Sequence, residues 1–483
     1  MKFGGTSVGD ASCILKVAQI IRAASAETEI VVVVSAMCGV TNKLIEAALQ
    51  SEAGNCGPVE AIFGELRRRH EVAVDALIHS EEERRKIKAR MQKYLEEGER
   101  LCKGTALIGE LTPRTRDAIS SLGERLSAPL VAAVLTEIGA ASESMEATTL
   151  IVTDSYYGGA EPWMDLTREA CEARLYPLLQ QGVVPVVTGF IGANEEGVLT
   201  TLGRGGSDYS ATILGAALDA DEVIIWTDVD GLLTSDPRLV PNACTISDIS
   251  YREAAELAYF GAKVLHPKTL RPVMQRGIPL RICNTFEPEN PGTKITPTGP
   301  AHADGVTAIT AIGDAALITV GGPSLAEVQD VLGRTLATAA GVRADVLMIS
   351  QSSSQNDVCL VVSATVAKRA VEALRHEFAH DLLHDKSEHI TLDSTVAIVT
   401  VVGQKIRTLS GIAGRAFAAL GRHNVDIIAS ANGASESNIS FVVPRKDMDA
   451  ALIATHREFQ LGALTSPVAN WHYESEPASA EAD

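Results

Sequence analysis

The run Gly203-Arg204-Gly205-Gly206-Ser207-Asp208-Tyr209-Ser210-Ala211 brings three glycines, a cation and a carboxylate to the junction of a short strand, 198–202, and an apolar, helix-compatible stretch, 211–218. Glycines let backbone N–H groups approach a ligand, and the start of a helix adds a partial positive charge, so a turn of this kind suits an anion. A tight connection without a ligand gives the same glycine pattern, but neither Arg204 nor Asp208 is needed to make a turn. The spacing matches neither G-x-x-x-x-G-K-[ST] nor G-x-G-x-x-G.

A second turn of the same character opens the chain, Lys2-Phe3-Gly4-Gly5-Thr6-Ser7, followed by apolar Ile14, Val17, Ala18 and Ile21 at helical spacing. A lysine beside two glycines and two hydroxyls suits phosphate oxygens. Such a turn is normally fed by a strand, and one residue precedes Lys2, so the first strand is expected to be very short or missing. The β-branched run 30–34 reads as a strand buried on both faces of a parallel sheet. It leads into Ser35-Ala36-Met37-Cys38-Gly39-Val40-Thr41-Asn42, at the strand end where open α/β sheets bind ligands. Ser35 and Thr41 read equally well as caps of the following helix. Glu124 lies among small and apolar residues, which fits a buried partner or ligand as well as a surface helix position. Asp228-Val229-Asp230-Gly231 and Thr234-Ser235-Asp236-Pro237-Arg238 fit a nucleotide edge, although such turns also arise for local reasons.

These residues need a scaffold, and strand and helix signals alternate through 1–283: strands at 149–153, 183–189, 222–227 and 278–283, a helix at 166–181, and a charged, solvated helical lobe at 58–103. The proline-rich segment 287–300 reads as a linker. Beyond it, 345–362 lies over 426–443 at an offset of 81 residues, each copy a strand, a polar turn and a strand, preceded by strand and helix and followed by a helix. Units this short cannot each bury a full core, so side-by-side pairing is expected. The 483 residues, 46% hydrophobic and 21% charged, suit a globular protein of several domains. A formal net charge of −19 argues against nucleic acid or an anionic membrane as partner. The eight cysteines form no C-x-x-C pair and no metal spacing with histidine, so they read as free thiols of a cytoplasmic protein and no protein metal site is expected. No apolar run approaches the roughly 18 residues of a membrane span, and 473–483 reads as a disordered tail.

The motifs together resemble the aspartate kinases. The resemblance runs end to end, through Lys2 to Ser7, Val34-Ser35-Ala36-Met37, Gly123-Glu124-Arg125-Leu126-Ser127, Gly203 to Ala211, Trp226 to Gly231 and Glu256 to Pro267, all in the family's order. It is strongest to the kinase half of the bifunctional aspartokinase–homoserine dehydrogenases, and since no dehydrogenase half follows, a monofunctional kinase is implied. The implied fold is α/β: an amino-acid kinase domain at 1–297, then two βαββαβ ACT domains at 305–390 and 391–472. The implied reaction moves the ATP γ-phosphoryl group to the β-carboxylate of L-aspartate, with Mg²⁺, as the first step of lysine, threonine and methionine biosynthesis. By the same resemblance Lys2 and Asp208 are catalytic, and Ser35, Thr41, Glu124, Arg204, Gly205, Gly206 and Ser207 bind aspartate. Lys2, Gly4, Gly5, Ser7, Thr227, Asp228, Leu233, Asp236, Arg238, Lys263 and Val264 line the nucleotide. Leu233 stands where the family usually carries tyrosine. Gln351 and Asn432 would sense threonine or lysine, threonine first, in a homo-oligomer, at least a dimer, built through the ACT domains. The alternatives are another member of the amino-acid kinase family, or a catalytically silent ACT-containing sensor of amino acids.

Overall fold

The computed structural model describes residues 1–261, 264–300, 305–321, 328–351, 357–379, 390–406, 409–432 and 436–463. They form two compact units. The first holds 1–232, 247–259 and the described part of 263–300; the second holds 233–246, 260–261 and the described residues from 305 onward.

The first unit begins with β1 (Lys2–Phe3), α1 (Ala11–Ser25), β2 (Val32–Val34) and α2 (Val40–Glu52). A helical excursion follows: α3 (Cys56–Leu77), α4 (Glu81–Ile108), α5 (Pro113–Ser120) and α6 (Leu122–Glu137). The chain then returns through β3 (Ser142–Met145), α7 (Met164–Gln180), β4 (Val184–Thr188), β5 (Ile191–Ala193), β6 (Leu199–Thr201), α8 (Gly206–Ala217) and β7 (Val223–Thr227). It closes with β8 (Asp248–Ser250), α9 (Tyr251–Tyr259), α10 (Pro267–Arg276), β9 (Leu280–Asn284) and β10 (Thr293–Thr296).

Eight of these strands make one sheet in the order β3-β4-β2-β1-β7-β9-β10-β8. The six from β3 to β9 are parallel, and only β10 runs against its neighbour β9. Parallel strands put all their carboxyl ends on one edge, which is where connecting turns can converge on a ligand. The two-residue β1 is central, with Lys2 opposite both Val33 and Ile225. It is as short as its sequence foretells, and its neighbours on both sides give it its place.

Four expectations need correction. The strand expected at 149–153 is a 3-10 turn, Ala147–Thr149, followed by isolated bridges at Val152 and Thr153. The strand is instead β3, whose Ser-Glu-Ser-Met sequence hides it because an edge strand is half exposed and needs no apolar run. The linker at 287–300 contains β10, paired to β9 and β8. The helical lobe is not wholly solvated: Phe63, Leu66, Val74, Tyr94 and Leu95 join the same core as Phe3 and Val34. Finally, the stretch Pro113–Glu137 is long and apolar enough by length and composition to cross a membrane, and 83% of its most apolar window is buried inside the protein.

The second unit contains β11 (Val306–Val320), α11 (Val328–Gly341), β12 (Val346–Gln351), β13 (Val358–Ser363) and α12 (Ala364–Glu377). The pattern then recurs as β14 (Ile390–Gly403), α13 (Ile412–Arg422), β15 (Ala429–Asn432), β16 (Asn438–Pro444) and α14 (Met448–Glu458). The offset of 81 residues carries Val358, the first residue of β13, onto Ile439 in β16. All six strands form one antiparallel sheet, β12-β13-β11-β14-β16-β15. The repeats do pair side by side, and they share strands: 306–312 of β11 lies against the end of β14, whereas 315–320 lies between β13 and the start of β14. On one face α11 and α12 cover Ile318 and Leu360. Helices α13 and α14 cover Val399 and Phe441. The segment 233–246 belongs to this second core through Val240 and Ala243, and Thr234 fastens it by an Oγ1 contact to His456 Nε2 at 3.0 Å.

Candidate active site

Helix α8 starts at the glycine turn, after Gly205 in the left-handed region (φ 68°), with no side-chain cap. Gly203 is left-handed too (φ 80°), and a Cβ on Gly205 would stand 2.8 Å from the His266 Cβ. Only glycine meets both demands, so the turn's shape follows from its composition. Asp208 falls in the first turn of α8 and meets Lys2 from the central strand, Nζ to Oδ1 at 2.5 Å, with side chains 9% and 15% exposed. A Cβ on Gly4 would lie 3.4 Å from the Lys2 Nζ, and the Gly4 N–H donates to the Trp226 carbonyl at 3.0 Å. The first glycine turn thus wraps the ammonium group.

Glu124 sits in the first turn of α6 and is 3% exposed, which removes the surface-helix reading. Burial pushes its carboxyl up to about 8, against the opposing pull of the Ala36 amide, the Ser207 hydroxyl and the Lys2 charge. Its Oε2 has no hydrogen-bond partner among the described residues. A buried carboxylate oxygen without a donor is costly, and a ligand cation is the natural remedy. Around it, Ser127 Oγ donates to the Ser35 carbonyl at 2.7 Å. A Cβ on Gly123 would approach both the Ala36 Cβ and the Thr41 Oγ1. Neither Ser35 nor Thr41 caps a helix: α2 is entered through left-handed Gly39 without a side-chain cap, Ser35 precedes that turn, and Thr41 lies inside the helix.

Arg204 is exposed, and among the described residues no hydrogen bond or ion pair engages it. Gly206 packs on Phe190 and Ser207 on Gly189, at the carboxyl end of β4. Beside the first turn, Ser7 Oγ meets Thr285 Oγ1 at 2.7 Å, and a Cβ on Gly5 would press on the Ala36 carbonyl at 3.0 Å. At the end of β7, Thr227 Oγ1 donates to exposed Asp228 at 3.2 Å. Lys2, Glu124, Ser207 and Asp208 therefore come together at the sheet edge, with the turns carrying Gly4, Gly5, Ser35, Thr41, Arg204, Gly205 and Gly206 around them. Val264 is a half-buried turn residue, and Lys263 lies outside the described residues. Leu233, Asp236 and Arg238 belong to the second unit, where Arg238 pairs locally with Asp236 at 2.5 Å. Gln351 and Asn432 are exposed at the ends of the edge strands β12 and β15, which approach within 8 Å between Cα atoms. The turn residues 352–355 and 433–435 beside them lie outside the described residues.

Three contributors escaped the sequence reading. Trp226 stacks on Phe3 at 5.9 Å between ring centroids, 8° from parallel. Arg69 of α3 donates to the Cys38 carbonyl at 2.7 Å and the Gly9 carbonyl at 2.9 Å, tying together both loops that flank the ion pair. Asp117 accepts from Gly158 and Thr201. Arg69 is one of several charges on a charged helix, and Asp117 one acid among the polar residues of the short helix α5, so neither stands out in the sequence.

Residues 1–284 match the amino acid kinase family, and 318–378 and 399–459 each match the ACT domain. The chain belongs to the amino acid kinase family, in its aspartokinase group. It is 33% identical to aspartokinase 1, chloroplastic, of Arabidopsis thaliana, over 95% of this chain and 79% of that protein. It is 34% identical to the bifunctional aspartokinase/homoserine dehydrogenase 1 of the same plant, over 97% of this chain and 51% of the relative. The chain spans about half the length of such bifunctional curated relatives. Among solved structures, Escherichia coli aspartokinase III in complex with aspartate and ADP, called the R-state, superposes with TM-score 0.81 at 29% identity, covering 95% of this chain and 98% of that one. The same E. coli enzyme with lysine and aspartate, called the T-state, gives TM-score 0.77 at 29% identity, with 95% and 98% covered. The aspartokinase group thus carries the amino-acid kinase and ACT architecture that the motifs implied.

Proposed function

We propose that this chain is an aspartate kinase, transferring the γ-phosphoryl group of ATP to the β-carboxylate of L-aspartate to give 4-phospho-L-aspartate and ADP. The observation that carries the reading is the Lys2–Asp208 ion pair beside the buried Glu124 carboxyl, whose Oε2 has no hydrogen-bond partner among the described residues, on the glycine-turn edge of the sheet. The substrate carboxylate, with a solution pKa of about 3.9, is already ionised and needs no general base. One of its oxygens bonds to the γ-phosphorus while the bond from phosphorus to the bridging oxygen breaks, and ADP leaves with the electron pair. The barrier is the meeting of two anions, so positioning and fixed positive charge supply the catalysis.

Lys2 keeps donors free beyond the one given to Asp208 and serves the phosphoryl oxygens as charge spreads over them. Asp208 holds that ammonium group in place. The uncapped start of α8 adds the Ser207 N–H, whereas the Gly206 N–H is spent on the Gly203 carbonyl at 2.9 Å. Glu124 takes the α-ammonium of aspartate and Arg204 its α-carboxylate, so substrate charges meet opposite charges, while Ser35 and Thr41 supply hydroxyl contacts. Gly4, Gly5, Ser7, Thr227, Asp228, Lys263 and Val264 serve the nucleotide. Among the described residues no group of three or more His, Cys, Asp or Glu could hold a metal ion. Mg²⁺ would arrive as MgATP, since this ion is commonly held by substrate phosphates and water with few protein ligands.

The catalytic domain spans 1–297, and the ACT repeats at 305–390 and 391–472 form a sensor for threonine or lysine in a homo-oligomer. The structure of the E. coli relative in complex with lysine and aspartate supports lysine for that role. The test is aspartate-dependent formation of an acyl phosphate trapped by hydroxylamine, with MgATP as donor. Hydroxamate is expected from wild type, with a lowered kcat in Lys2→Ala and a raised KM for aspartate alone in Arg204→Ala. Folded protein that yields no hydroxamate overturns the reading.

A further inference from the structure

Asp117, on α5, touches none of the residues assigned above to substrate or nucleotide, yet it is 2% exposed and fully engaged. Its Oδ2 accepts the Gly158 N–H at 2.9 Å and the Thr201 N–H at 2.9 Å, and its Oδ1 accepts the Thr201 hydroxyl at 2.9 Å. Burial raises its pKa and the three donors oppose that rise. The two chain segments it joins meet again on their own: the Ala160 N–H donates to the Thr201 carbonyl at 2.9 Å, and a Cβ on Gly203 would lie 3.0 Å from the Gly158 carbonyl oxygen. Thr201 ends β6, two residues before left-handed Gly203, and Arg204 follows.

Among the described residues no hydrogen bond or ion pair fixes the exposed Arg204, so its position depends on where Gly203 is held. We propose that Asp117 is a positioning residue for substrate binding: by clamping Gly158 and Thr201 together it fixes the turn that aims Arg204 at the α-carboxylate of aspartate. The proposal rests on the reading of Arg204 given above. Three converging donors demand a side chain that accepts on both branches, or one whose second branch can face a hydroxyl able to reverse. Asparagine meets the second condition, with its oxygen taking both N–H groups and its amide donating to the Thr201 hydroxyl. Alanine leaves the buried Thr201 N–H without an acceptor and frees the part-buried Gly158 N–H from the clamp.

The test compares wild type, Asp117→Ala and Asp117→Asn in the full chain, by KM for aspartate, KM for ATP, and amide hydrogen exchange in 156–161 and 201–206. Asp117→Ala is expected to raise KM for aspartate about tenfold, the scale of one lost hydrogen bond to a charged group, with KM for ATP little changed. Exchange should rise in both segments, and Asp117→Asn should restore most of both properties. A normal KM for aspartate in Asp117→Ala despite faster exchange overturns the positioning role, as does an equal rise in both KM values that asparagine does not rescue. Wild type without aspartate-dependent activity overturns the proposed function instead. The exchange arm then still decides the clamp, since unchanged exchange in Asp117→Ala removes it.

Discussion

Glu124 sets how the site responds to pH. Its folded-state carboxyl is raised from 4.5 to about 8 by burial, so between those values the folded protein holds a proton that the unfolded chain has released. That contribution to stability is complete below about pH 4.5 and is lost as pH rises through 8. Binding runs the other way. An ammonium group needs the carboxylate, so aspartate must expel the proton from Glu124 on arrival near neutral pH. The expected outcome is that kcat/KM for aspartate rises with pH up to an apparent pKa near 8, which belongs to the free enzyme. Calorimetry in buffers of different ionisation enthalpy should register proton release on aspartate binding at pH 7. Glu124→Gln should abolish both the release and this limb of the profile. A flat profile in wild type would place the α-ammonium elsewhere. The sequence singled out Glu124 by its apolar neighbours, but its burial and its unpartnered oxygen depend on α6 packing against Ala36 and Ser207, which no local pattern encodes.

The elements explain why some of the chain was legible and some was not. The glycine turns were readable because their composition is also their geometry: Gly205 needs both a left-handed φ of 68° and the absence of a Cβ next to His266. Gly205→Ala should therefore cost about 1–2 kcal/mol for the left-handed backbone alone, with further cost from the contact at 2.8 Å. Thermal unfolding should shift down by several degrees, and hydroxamate formation should fall more steeply than stability, because the turn carries Arg204 on one side and Asp208 on the other. Unchanged activity in that variant would mean the turn is not part of the site. Elements whose cause is not local were misread. Strand β3 is polar because it forms an edge, and β10 sits in a proline-rich stretch because its prolines flank the four residues that pair. The segment around Asp236 and Arg238 is fastened by Thr234 to His456, a residue 222 positions away in sequence, which no local pattern reveals.

At the scale of the whole chain, the duplication was legible because two copies of a strand, turn and strand at an offset of 81 leave a pattern that no single copy shows. What the offset could not reveal is strand sharing, in which β11 and β14 each serve both repeats, so that a displacement in one repeat is felt through the centre of the other's sheet. This bears on regulation. The edge strands β12 and β15 end at exposed Gln351 and Asn432 and approach within 8 Å between Cα atoms, while Ile349 and Ile428 nearby are each 44% exposed. An amino acid held by amide groups at this place would act by binding an inactive arrangement more tightly than the active one, with a coupling of about 1–3 kcal/mol, or roughly 5- to 150-fold in affinity. Threonine and lysine, titrated separately and together against the initial rate, should inhibit wild type on that scale, threonine at lower concentration. Gln351→Ala should weaken inhibition and leave the uninhibited rate in place. Asn432 is one methylene shorter than Gln351, so the two ends of the sheet need not hold the ligand equally, and Asn432→Ala is expected to weaken inhibition less. Inhibition by lysine alone would move the chain toward the behaviour named for the T-state of its E. coli relative while leaving the kinase reading intact. With no inhibition by either amino acid, the repeats would lose their sensing role and keep only a structural one.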